Sequence, residues 1–399
     1  MFSTIYSLHI PFFCRVKILC LPLFRLLDRI VKSVARMKVL NIGGLKIKLP
    51  IIQGGMGVGV SLSGLASAVA NEGGVGVISP AGIGFLYKDH SSDYLENCIY
   101  GLTTEIRKTR EKSNGVIGVN IMVALSNFSD LVATSIREKV NIIFAGAGLP
   151  LDLPKYLTPG SKTKLVPIVS SARAASLICN KWYGNFNYLP DAIVVEGPKA
   201  GGHLGFKVEQ IFDENFALEN LIEEVVAVAR EFSEKYGKQI PVIAAGGIYT
   251  GEDIALIMEK GAAGVQMGTR FVTTNECDAS EGFKQAYIQA KEEDVRIIKS
   301  PVGMPGRAIS CSFLDDVDNG KRRPTVCPVN CVKTCDITTA PYCIMASLAS
   351  ALRGNFRNGY AFAGSNVWKT DRIISVKELF SNIIDEYKVA VGGKFALAI

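Results

Sequence analysis

The chain has no run of about 20 uncharged apolar residues, the minimum for a helix that crosses a bilayer. Its most apolar segment, residues 5–27, is broken by Arg15, Lys17 and Arg25. A secretory leader is not expected either, because no charge-first, small-residue-last order is obvious there. Histidine is scarce, at three in 399 residues. Ten cysteines are too dilute for a disulfide framework, and several lie inside apolar runs, which fits a reducing, cytoplasmic setting. A basic stripe with interleaved aromatics is missing too. The net charge of +7 gathers in residues 1–36, where Arg15, Lys17, Arg25, Arg29, Lys32 and Arg36 face only Asp28. Nucleic acid is thereby excluded as an expected partner.

Residues 1–36 differ from everything after them. An interfacial amphipathic anchor is one reading of them. The other is an upstream extension outside the fold, since Met37 opens a coherent segment, MKVLNIGGLKIKLPIIQGG. The second reading is the expectation adopted, with no membrane partner.

What the chain does contain is apolar residues, 48% against 20% charged, and 39 glycines. That balance builds a large core. Apolar, β-rich runs recur at 50–55, 75–79, 116–123, 141–146, 164–170, 192–197, 241–247 and 264–271. Each is short and nearly continuous, as strands covered on both faces are. Helical patterns fall between them at 62–71, 92–112, 128–139, 172–181, 218–236 and 251–260, with another at 281–291. Eight such units predict an α/β fold, a closed (β/α)₈ TIM barrel over 37–299, in preference to an open doubly wound sheet. Residues 300–399 are expected to form a lid-like connection and a helical, cysteine-containing appendage. Its clearer helices are at 344–352 and 376–387.

A barrel's chemistry sits where its strands end. The first run ends in Gln53-Gly54-Gly55-Met56, whose glycines let backbone approach a planar group; the simpler reading is a tight turn. Asn120 interrupts the third run, and a buried amide is costly unless bonded. It is either a satisfied core residue or a ligand contact. The sixth run leads into Glu196-Gly197-Pro198-Lys199-Ala200-Gly201-Gly202-His203. His203 alone among the histidines lies in a glycine-rich loop at a strand end, where an imidazole can exchange protons near neutrality. The last two runs end in Gly246-Gly247 and Gln266-Met267-Gly268-Thr269. Loops after strands seven and eight of a barrel often bind phosphate through backbone N–H groups. No GxGxxG follows the first strand, so a Rossmann dinucleotide site is not supported.

Taken together, IIQGGMG, GVNIMV, VEGPKAGGHLG, VIAAGGI and QMGTRF resemble the nitronate monooxygenase (2-nitropropane dioxygenase) family in order and spacing. The resemblance runs from about Lys38 to Ile309. FMN-dependent enoyl-acyl-carrier-protein reductases share these motifs, so the scaffold is better marked than the substrate. The resemblance implies FMN as cofactor, held by Asn120, Glu196, Gly201, Gly247, Gln266, Met267, Gly268 and Thr269; the glycine turns at the strand ends add Gln53, Gly54, Gly55, Met56, Gly202 and Gly246 to the expected cofactor contacts. It implies His203 as the catalytic residue. The implied reaction is oxidation of alkyl nitronates by O₂ to carbonyl compound and nitrite; the alternative is NAD(P)H-dependent reduction of an enoyl thioester. Glu196 stands where many nitronate monooxygenases have glutamine, which resembles the reductase branch. NAD(P)H and a homodimer are left open as partners.

Two features lie outside these motifs. Residues 300–308, with Pro301, Gly303, Pro305 and Gly306, are expected to help close the pocket. Cys327, Cys331, Cys335 and Cys343 are spaced unlike either zinc CxxC pairs or common ferredoxin runs. Buried or redox-active thiols are expected there, with no metal.

Overall fold

A computed structural model describes residues 37–397 apart from Pro328; the 1–36 extension lies outside the described residues. The chain opens with a hairpin, β1 (Leu40–Ile42) and β2 (Leu45–Ile47). Strands and helices then alternate: β3 (Ile51–Gln53), α1 (Ser63–Asn71), β4 (Val75–Ile78), α2 (Tyr94–Lys112), β5 (Val116–Met122), α3 (Phe128–Arg137) and β6 (Ile142–Gly146). There follow β7 (Lys164–Val169), α4 (Ala172–Phe186), β8 (Ile193–Glu196), a two-residue β9 (Gly202–His203), α5 (Leu218–Tyr236), β10 (Val242–Ala245), α6 (Gly251–Glu259) and β11 (Gly264–Met267). Strands β10-β11-β3-β4-β5-β6-β7-β8 close into a barrel, and neighbouring strands pair in parallel. The expected eight-stranded barrel is therefore present.

Period-two alternation explains the closure. Ile51, Ile143 and Ala244 pack outward with the helices. Their neighbours Ile52, Phe144 and Ile243 point into the barrel, where Leu40, Ile42 and Ile47 of the first hairpin join them. The hairpin therefore plugs the end opposite the loops that follow the strands. Helix ends carry local signals: Ser171 accepts from the Ala174 N–H ahead of α4, and Thr250 and Asp253 form a reciprocal cap on α6.

Beyond the barrel come α7 (Thr269–Val272), α8 (Glu281–Gln289), β12 (Val295–Lys299), β13 (Pro305–Ile309), α9 (Ser312–Asp318), α10 (Ile344–Leu352) and α11 (Val376–Leu397). Residues 300–308 form the turn and most of the outgoing strand of a hairpin. β13 lies between β12 and β9, antiparallel to both, with Gly306 opposite His203. The boundary drawn at 299/300 thus falls within a hairpin that is also paired to the barrel's sixth loop. Helix α11 packs on α6, and Glu386 accepts from the Gly251 N–H at 2.7 Å. Among the described residues, no helix is long and apolar enough to cross a membrane.

Candidate active site

Every barrel strand runs the same way, so the segments following β3, β5, β8, β10 and β11 share one mouth. They line one cavity, about 1700 Å³ of empty space with the open mouth included. Gly54, Gly55, Met56, Asn120, Glu196, Gly201, Gly202, His203, Gly246, Gly247, Gln266, Met267, Gly268 and Thr269 all reach its wall. Gln53 does not. Its amide is fully buried within the barrel, where it accepts from the Val77 N–H at 2.9 Å and donates to the Gly54 carbonyl. Gln53 is therefore a strand-to-strand tie, and its place in the ligand set is withdrawn.

The turn after β10 is built from Gly246 and Gly247 at φ +92° and +86°. Two successive left-handed residues are tolerated without strain only by glycine. A Cβ on Gly247 would also meet the Lys199 Cβ at 2.8 Å. The turn after β11 places Gly268 ahead of α7. A third segment, 364–366, joins these turns from far along the chain. The Gly364 N–H donates to Thr269 Oγ1 at 2.9 Å, Asn366 Nδ2 to the Gly247 carbonyl at 2.6 Å, and the Ser365 N–H to the Lys199 carbonyl at 3.1 Å. Ser365 Oγ is buried against the same cavity without a hydrogen-bond partner. An orphaned hydroxyl costs about 1–3 kcal/mol, and a phosphate oxygen at this corner would satisfy it. The residues present therefore fit a phosphate group here.

His203 lines the same cavity. Its Nε2 is 2.7 Å from Ser300 Oγ, which also accepts from the Val302 N–H at 3.3 Å. The Phe362 ring meets the imidazole edge-on, with centroids 5.0 Å apart. Burial lowers the His203 pKa to about 4, so the ring is neutral at pH 7. Burial pushes the Glu196 carboxyl the opposite way, up to about 7. Arg307 fixes the loop between these two residues, donating from Nη1 to the Ala200 carbonyl at 2.8 Å and to that of Pro198.

Sequence reasoning missed Lys199, Ser300, Ser365, Asn366 and an apolar wall that includes Val302, Val332, Ile344, Met345 and Phe362. The turn composition of 300–308 pointed toward Ser300 and Val302. For 364–366 the signal available was the short polar run Gly364-Ser365-Asn366 in a segment otherwise read as helical.

The nitronate monooxygenase family model matches residues 38–134 and 102–386. A (3aS,4S,5R,7aS)-5-hydroxy-7a-methyl-1-oxo-octahydro-1H-indene-4-carboxyl-CoA dehydrogenase of Mycobacterium tuberculosis is 28% identical over 277 residues, which is 69% of this chain and 67% of that protein. A probable nitronate monooxygenase of Staphylococcus saprophyticus is 28% identical over 296 residues, 68% of this chain and 78% of that one. Among solved structures, FabK from Thermotoga maritima superposes with a TM-score of 0.66 at 26% identity, covering 88% of this chain and 96% of its own.

Proposed function

The chain belongs to the nitronate monooxygenase family, a family of oxidoreductases, and on that premise we propose that it binds FMN and oxidises alkyl nitronates with O₂. The observation that carries the reading is one cavity lined both by a phosphate-fitting corner and by a half-buried, neutral histidine. Gly247, Gly268, Thr269 and Ser365 would hold the phosphate, with Gly54, Gly55 and Asn120 at the flavin ring. Bound flavin supplies the electron-accepting ring and the route to O₂.

The protein's own contribution centres on His203. When Ser300 donates its hydroxyl hydrogen to Nε2, the ring proton sits on Nδ1 and can be donated to a nitronate oxygen. When Nε2–H donates to Ser300, Nδ1 is a base. A group with a pKa of about 4 is a weak base for a carbon acid, so the donor role, and the anionic nitronate over the neutral nitroalkane, fits better. The apolar wall keeps water from the reacting centre. A cytoplasmic setting belongs to the same proposal, supported by the free thiols among the described residues.

Glu196 and the apolar wall favour a second reading, reduction of an enoyl thioester by NAD(P)H. The purified protein should show flavin absorbance and consume O₂ with propyl nitronate in the absence of NADH. Failure there, together with NADH-dependent reduction of a crotonyl thioester, would reverse the order of the two readings. A preparation that stays colourless after FMN is supplied would dismiss both.

A further inference from the structure

Residues 319–343 join α9 to α10, and those described form neither helix nor strand. So long a stretch without structure of its own is uncommon in a compact domain, where it is usually either functional or a disordered linker. It is nonetheless held firmly to the barrel. The Ser126 N–H donates to the Cys331 carbonyl at 3.1 Å and the Lys333 N–H to that of Ala124 at 2.9 Å. Leu125 forms a bridge with Val332, and Thr334 Oγ1 donates to the Val302 carbonyl at 3.0 Å.

This segment carries Cys327, Cys331, Cys335 and Cys343, all as free thiols. Cys331, Cys335 and Cys343 pack against the core, and the four lie within electrostatic reach of one another. The spacing alone predicts thiols without metal, and among the described residues no group of three or more His, Cys, Asp or Glu is set to hold a metal ion. An iron–sulfur cluster asks for something else. Its cysteine thiolates bind separate corners of a body several ångströms wide, so the sulfurs surround it and do not meet.

We propose that Cys327, Cys331, Cys335 and Cys343 ligate an iron–sulfur cluster behind the apolar wall of the active-site cavity. The location follows from the chain itself. Val332, next to Cys331, and Ile344 and Met345, directly after Cys343, line the same cavity as His203. A four-cysteine cluster also accounts for an irregular segment so firmly fixed, because it cross-links four points along the chain. The proposal does not depend on the nitronate reading.

The full-length protein, purified without oxygen or reconstituted with ferrous iron and sulfide, should carry iron and acid-labile sulfide in equal amounts, about two or four of each per chain. Reduction with dithionite should give an electron paramagnetic resonance signal distinct from that of flavin. Cys331→Ser and Cys343→Ser should lose the iron and the signal. Wild-type iron and sulfide analysis decides the matter even if these variants fold poorly. Absence of iron and sulfide after reconstitution overturns the proposal, as does one tightly held zinc per chain in place of iron.

Discussion

Glu196 and His203 face one cavity, and burial drives both toward their neutral forms, because desolvation penalises whichever form is charged. Their effects on stability run in opposite directions. The folded pKa of Glu196 is raised from 4.5 to about 7, so its contribution is complete below about 4.5 and is lost as pH rises through 7. That of His203 is lowered from 6.5 to about 4, so its contribution is complete above 6.5 and is lost as pH falls through 4. Replacing Glu196 with Gln removes the first effect. Thermal melts of the flavin-free protein should then show a smaller drop in Tm between about pH 5 and pH 8 than the wild type. An equal drop in the two proteins would mean that this carboxyl does not titrate there. At His203, an Asn substitution should lower nitronate turnover about 100-fold or more while leaving the flavin spectrum in place. Loss of the flavin itself would instead assign His203 a structural role.

At the level of elements, the phosphate corner is made from three separate pieces of chain. Ser365→Ala deletes the orphaned hydroxyl without disturbing the backbone bonds of 364–366. It should weaken FMN binding about 10- to 100-fold, the value of one hydrogen bond to a charged group, as read by fluorescence titration. Unchanged affinity would move the phosphate elsewhere. Gly247→Ala should be worse, since it adds about 1–3 kcal/mol of backbone strain and sets a methyl against Lys199. The turns after β10 and β11 were legible in the sequence because each strand end carries glycine, paired as Gly246-Gly247 in the first and single as Gly268 in the second. Gln53 was misread for a related reason. Its position beside three glycines suggested a ligand contact, whereas its amide is used up by Val77 and Gly54. Nothing local distinguishes a side chain that turns into the cavity from one that ties two strands. Ser365 and Asn366 were invisible because their partners lie far away along the chain.

For the whole molecule, the barrel could be read from eight apolar runs because each strand is buried on both faces and owes little to its neighbours' identity. The β12–β13–β9 sheet could not be read, since a two-residue strand at Gly202–His203 exists only through its pairing with residues 305–309. A barrel cut at 299 consequently lacks Ser300, the partner strand of His203 and the 364–366 segment. Expressed alone, residues 37–299 should fail to retain FMN in gel filtration, whereas the full chain should carry it. An excised barrel that stays yellow would show that the appendage is dispensable for the cofactor.

The 364–366 segment also bears on how the protein is made. Its three backbone and side-chain bonds reach loops that leave the ribosome well before it does. The barrel's final strand can be complete while the corner meant for phosphate is still one wall short. If phosphate binds at this corner as proposed, cofactor capture must wait until the distal chain has emerged and closed it.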